Sequence, residues 1–109
     1  MVDAARIAQL SEQIATEFHP DRIVLFGSHA RGTAGTDSDV DLLIILPFEG
    51  KAVAKAVEIR LKIRPGFPID LIVRTPEKVR ERLAMGDGFL REILQTGTVL
   101  YEADHARMG

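Results

Sequence analysis

Three aspartates and one Gly-Ser pair are the residues of this chain whose types and spacing could do chemistry. Asp39 and Asp41 flank Val40 at the mouth of the apolar run 42–46, and Asp37 stands two residues before them. Residues two apart on a strand project from one face, and Asp is otherwise depleted in strands. Like charges this close raise one another's pKa unless something positive joins them. A divalent cation resolves that conflict, and magnesium takes one or two carboxylates together with substrate phosphates. Asp-x-Asp alone favours the plainer reading, the solvated acidic cap of a strand edge. Asp70, inside the apolar run 67–73, adds a further carboxylate where a charge is costly without a partner. If a strand at 68–74 pairs beside one at 41–46, Asp70 joins Asp39 and Asp41 around a pair of metal ions. The plainer alternative is an ion pair between Asp70 and Arg74.

Gly27-Ser28 follows the apolar run 23–26. A glycine after a strand lets the backbone turn sharply and approach a ligand. If a helix starts there, its free N–H groups and the Ser28 hydroxyl form an anion site. Arg31 either adds a phosphate contact or pairs with a site carboxylate and holds the turn. Two rival phosphate loops fail. Gly27-x4-Gly32 starts like a Walker A loop, but Thr33 stands where its lysine belongs, and no Gly-x-Gly-x-x-Gly follows an expected strand. His19, His29 and His105 have no ligand spacing, and His29 reads as a plain loop residue beside Ser28.

The elements that must position these groups follow from periodicity. Ile7, Leu10, Ile14 and Phe18 recur at helical spacing, which predicts a helix over 3–18 that ends before Pro20. Strands are expected at 23–26, 41–46, 68–74 and 98–101. Residues 28–32 form a turn or short helix, and Lys51 to Ile63 a helix packed through Val53, Val57 and Leu61. Thr75-Pro76 has the N-cap and first-turn chemistry of a helix start, with Val79 and Leu83 facing inward. Gly86-Asp87-Gly88 interrupts it, a short helical turn follows at 89–94, and the polar tail 102–109 is expected to fray. An α/β (α+β) fold follows, a mixed sheet with helices packed on it, in one domain over 1–109.

Composition bounds the rest. The chain has 109 residues, 46% hydrophobic and 28% charged, and no cysteine, which excludes disulfides and thiolate chemistry. No apolar run reaches the length of a membrane span and no signal-peptide layout opens the chain, so a cytoplasmic protein is expected. Fourteen basic against 16 acidic residues leave a net charge of −2, not the basic excess of an extended nucleic-acid binder. The local basic stretch 51–64 reads as a solvated helix face.

Gly27-Ser28, ten intervening residues, Asp39-Val40-Asp41 and a later strand aspartate, Asp70, together resemble the DNA polymerase β-like nucleotidyltransferase superfamily. The string Leu-Phe-Gly-Ser-His-Ala-Arg-Gly followed by Ser-Asp-Val-Asp-Leu is similar to its minimal nucleotidyltransferase (MNT) branch, of the antitoxin type. That resemblance implies a polymerase β-like core whose catalytic residues Asp39, Asp41 and Asp70 bind two Mg2+ ions. Gly27, Ser28 and Arg31 would bind the nucleotide, with ATP as substrate. It further implies transfer of AMP to a tyrosine of a partner HEPN-family toxin. A non-catalytic antitoxin that acts by complex formation, or transfer to a small molecule or RNA end, stays open, as does the oligomeric state.

Overall fold

The computed structural model describes residues 2–107. Its helices are α1 (Ala4–Phe18), α2 (Ser28–Arg31), α3 (Ala52–Ile63), α4 (Pro76–Ala84), α5 (Gly88–Thr96) and α6 (Asp104–Arg107). Its strands are β1 (Arg22–Phe26), β2 (Val40–Ile45), β3 (Ile69–Arg74) and β4 (Thr98–Glu102). The four strands form one mixed sheet in the order β3-β2-β1-β4. β1 runs antiparallel to both β2 and β4, whereas β2 and β3 are parallel and joined through α3, the crossover that a parallel pair requires.

Strand parity divides the core in two. Ile23, Leu25, Val40, Leu42, Ile44, Ile69, Leu71 and Val73 face α1 and α3, against Ile7, Leu10, Ile14, Ile59 and Ile63. Val24, Leu43 and Ile45 face the other way, against Val79 of α4 and Leu90 and Ile93 of α5. β2 is therefore covered on both faces, and every residue in it is buried except Asp41, which is half-buried. A strand paired on both edges and packed on both faces is the most constrained element of such a sheet.

Local chemistry explains the helix bounds. Asp3 caps α1 by accepting the Arg6 N–H at 2.9 Å, and α1 ends where His19, at φ 50°, turns left-handed ahead of Pro20. Thr75 caps α4 through the Lys78 N–H at 3.1 Å, with Pro76 in the first turn. Asp87 caps α5 by accepting the Leu90 N–H at 3.0 Å. That cap carries helix from Gly88 to Thr96, longer than the turn expected at 89–94.

Two expectations are overturned. α3 does not pack through Val53, Val57 and Leu61, which are 76%, 49% and 68% exposed. It packs through Ile59 and Ile63, with Ala56 beside them. Both stripes have helical spacing, and the smaller Ala56 lets the Ile stripe approach the sheet that the longer one faces away from. The basic side chains Lys51, Arg60, Lys62 and Arg64 lie on this exposed side. The tail is tied down rather than frayed as far as His105. β4 brings its end alongside the start of β1, so Glu102 meets Arg22 at 2.9 Å and the Ala103 N–H donates to Asp21 O at 2.9 Å. His105 also meets the Asp21 carboxylate, at 2.9 Å; residues 108–109 lie outside the described residues.

The corrected α3 face has a measurable consequence. In urea unfolding, Ile59→Ala is expected to cost about 2–4 kcal/mol, whereas Val57→Ala and Leu61→Ala stay within about 0.5 kcal/mol of the parent. A larger loss at Leu61 than at Ile59 would show the opposite packing.

Candidate active site

The parallel β2–β3 ladder sets Asp41 directly beside Asp70, and the antiparallel β1–β2 ladder sets Phe26 on its other flank. All three share the sheet face that carries α4 and α5, since side chains alternate along a strand. Asp39 stands one residue before β2, outside the ladder, and is exposed. Asp70 is also exposed, on an edge strand. Its charge is therefore tolerable without a partner, a weaker constraint than its apolar flanks imply. Arg74 does not pair with it; that guanidinium donates to Val73 O at 2.8 Å.

Asp41 carries the electrostatic record of this arrangement. Its pKa is raised above 3.8, first by burial, then by the negative charges of Asp70 and Asp39. His29 and Arg31 oppose the rise more weakly. Asp37 is exposed in the preceding turn. Among the described residues, no three His, Cys, Asp or Glu side chains are gathered closely enough to hold a metal ion. The three aspartates are thus neighbours without being a formed cluster. Their donors are hard carboxylate oxygens, and two of them burden the third with like charge, which is the environment a divalent cation relieves. The donor set fits such an ion.

Gly27 makes the approach of α2 to this site possible. Its φ of 75° and ψ of −155° lie in a region essentially reserved for glycine. A methyl there would come within 3.1 Å of Asp41 Cγ and overlap Oδ2. Both the turn and the space for the carboxylate depend on the missing side chain. Ser28 opens α2, whose N-terminus has no side-chain cap, unlike those of α1, α4 and α5. Its first N–H groups have no intrahelical acceptor and remain available to an anion. Gly32 closes α2 as a left-handed C-cap at φ 75° and is no part of a Walker loop. Arg31 is exposed, and no ion pair joins it to a carboxylate among the described residues.

Two contributors escape the sequence pattern. His29 donates Nδ1–H to the backbone carbonyl of Asp39 at 3.1 Å, which no spacing rule would flag. Phe89 of α5 packs edge-on against Phe26, the ladder neighbour of Asp41, with centroids 5.9 Å apart at 85°, and stays 58% exposed. A cavity of about 590 Å³, lined by Arg74, Lys78 and Arg82, lies at the other end of β3. No helix among the described residues is long and apolar enough to cross a membrane.

Comparison with known proteins places these observations. A family profile described as "Nucleotidyltransferase domain" matches residues 7–100. Over 80 residues the chain is 34% identical to a "putative protein adenylyltransferase" of Methanocaldococcus jannaschii, covering 73% of this chain and 77% of that one. The fold resembles a "putative nucleotidyltransferase" of Sulfolobus solfataricus, with TM-score 0.63 at 19% identity over 92% of this chain and 80% of that one. It also resembles a toxin–antitoxin solved with AMP-PNP, with TM-score 0.63 at 18% identity over 98% of this chain and 80% of that one. A mutant of the toxin–antitoxin MntA–HpeT gives TM-score 0.58 at 18% identity over 95% of this chain and 77% of that one.

Two substitutions probe the site physically. Because the folded pKa of Asp41 lies above the unfolded one, its proton is held more readily in the native state. Stability then falls as pH rises from the unfolded pKa through the folded one, and the whole penalty is present above it. Asp41→Asn is therefore expected to melt a few degrees higher than the parent at pH 7 in EDTA, the gain vanishing at pH 3. Gly27→Ala is expected to lose at least about 1–3 kcal/mol, and more than Gly32→Ala, where nothing lies within 4 Å of the added methyl. A lower melting temperature for Asp41→Asn across the whole pH range would contradict this account.

Proposed function

The chain belongs to the nucleotidyltransferase-domain family, and on that premise we propose that it transfers AMP from ATP to a tyrosine hydroxyl of a HEPN-family toxin and so acts as its antitoxin. One observation carries the reading: Asp41 and Asp70 stand side by side across the parallel ladder, with the Gly27-Ser28 turn against Asp41. The name of the Methanocaldococcus relative supports AMP as the group moved and a protein as acceptor. The toxin–antitoxin neighbours support the setting. The exposure of Asp39 and Asp70 favours an acceptor delivered on a macromolecule over an enclosed small molecule.

In this reading Asp39, Asp41 and Asp70 would hold Mg2+, as two ions. Bound there, magnesium would neutralise phosphate charge and make the acceptor hydroxyl more acidic. The chain's own residues orient the rest. The Ser28 hydroxyl and the first N–H groups of α2 bind the triphosphate, with Arg31 as a further phosphate contact. Gly27 keeps that turn close to Asp41 without filling the space between them. The acceptor oxygen then forms its bond to the α-phosphorus as the bond to pyrophosphate breaks, in line. Asp70, exposed on the edge strand, takes the acceptor proton. The described residues 2–107 act as one such unit.

The test uses the chain, its toxin, ATP and Mg2+, with the toxin weighed by intact mass spectrometry. One or more adenylyl groups on the toxin are expected, lost in EDTA and reduced to background by Asp39→Asn, Asp41→Asn or Asp70→Asn. A stable complex without adduct would instead identify an antitoxin that works by binding. Full activity in the aspartate variants would overturn the assignment of the site.

A further inference from the structure

We infer that His29 is a positioning residue, which adds a rung to the β1–β2 ladder beyond the point where β1 stops and so fixes Asp39 against the Gly27-Ser28 turn. The last antiparallel pair of that ladder is Phe26 with Asp41. Continued one and two residues further, the register would set Gly27 opposite Val40 and Ser28 opposite Asp39. The chain instead turns into α2 at Gly27, so β1 offers no backbone donor there. The Val40 N–H is served from the other side, by Pro68 O at 3.1 Å. The Asp39 carbonyl receives the His29 ring instead, Nδ1 to O at 3.1 Å. A side chain one residue past Ser28 thus replaces the missing strand.

The ring state follows from its partner. A carbonyl oxygen only accepts, so the proton must sit on Nδ1. Nε2 is sealed from solvent and meets no partner among the described residues. A buried ring nitrogen without a partner is unusual, and here it accompanies a hydrogen bond that joins α2 to Asp39. Asp39 has no ladder bond of its own and is exposed, so without His29 its carboxylate would sample orientations that Asp41 and Asp70 cannot use. The apolar cavity that His29 borders, of about 430 Å³ with Leu25, Thr98 and Leu100, does not account for Nε2, because that atom is closed to it. The functional part of this inference rests on Asp39 as a metal ligand, as proposed above.

The experiment compares the parent with His29→Ala, His29→Asn and His29→Gln. Asn presents an amide N–H where Nδ1 stands, and Gln presents one where Nε2 stands. Ring-nitrogen NMR of the parent at pH 8 should show the proton on Nδ1 with Nε2 bare. Mn2+ binding followed by electron paramagnetic resonance should weaken about tenfold in His29→Ala and His29→Gln and return to within about twofold in His29→Asn. Transfer rates should follow the same order with the apparent KM for ATP little changed. The proton found on Nε2, or Mn2+ affinity equal in His29→Ala and the parent, overturns the role of His29 alone. A parent chain that binds no Mn2+ overturns the metal reading of the site and this inference with it.

Discussion

The structure depends on keeping a carboxylate ionisable at the mouth of a strand that is otherwise wholly buried. β2 is paired on both edges and packed on both faces, and Asp41 is the one position in it that reaches water. Burial and the charges of Asp70 and Asp39 all disfavour its ionised form. Such an arrangement costs stability and persists only where something else is gained from it. Around Asp41 the chain leaves room instead of filling it. Gly27 withholds a side chain from the space beside the carboxylate, and α2 turns its uncapped N-terminus toward that end of the sheet.

The parity of the sheet separates stability from chemistry. The alternate residues of β1, β2 and β3 that face α1 and α3 are aliphatic throughout, and they carry the larger core. The opposite set runs from Asp41, Asp70 and Phe26 at one end to Ile45 and Arg74 at the other. α4 and α5 cover the middle of that face, where Leu43 and Val24 are buried. One strand therefore holds the core with half of its residues and offers functional groups with one of the others. Changes at the carboxylates can alter reactivity while the aliphatic set still holds the fold together.

Much of this is legible in the order of the residues. Four strands and the capped helix start at Thr75 follow from short-range rules, because a cap or a period-two run is decided by residues a few positions apart. Asp39, Asp41 and Asp70 were conspicuous as charges in or beside apolar runs. The face of α3 is not legible, because two apolar stripes share its period and only the sheet beneath it selects Ile59 and Ile63 over Val53 and Leu61. Asp70 was judged too costly without a partner because its flanks are apolar. The edge position that exposes it is a property of strand order, which no local pattern encodes.

By itself, then, the amino-acid sequence determined the four strands and the longer helices, the Gly-Ser turn, the carboxylate inventory and, through their joint spacing, the family. Each of these depends on residues close together in the chain or on side-chain chemistry alone. Only the tertiary structure decided that β3 lies parallel to β2 in the register that sets Asp70 beside Asp41. It also decided that Gly27 makes room for Asp41, that His29 reaches the Asp39 carbonyl, and that the tail docks on Asp21 and Arg22. Those contacts join segments separated by 10 to 84 positions. They exist because a sheet packed on both faces admits few registers, and packing of that kind is settled by the whole core at once.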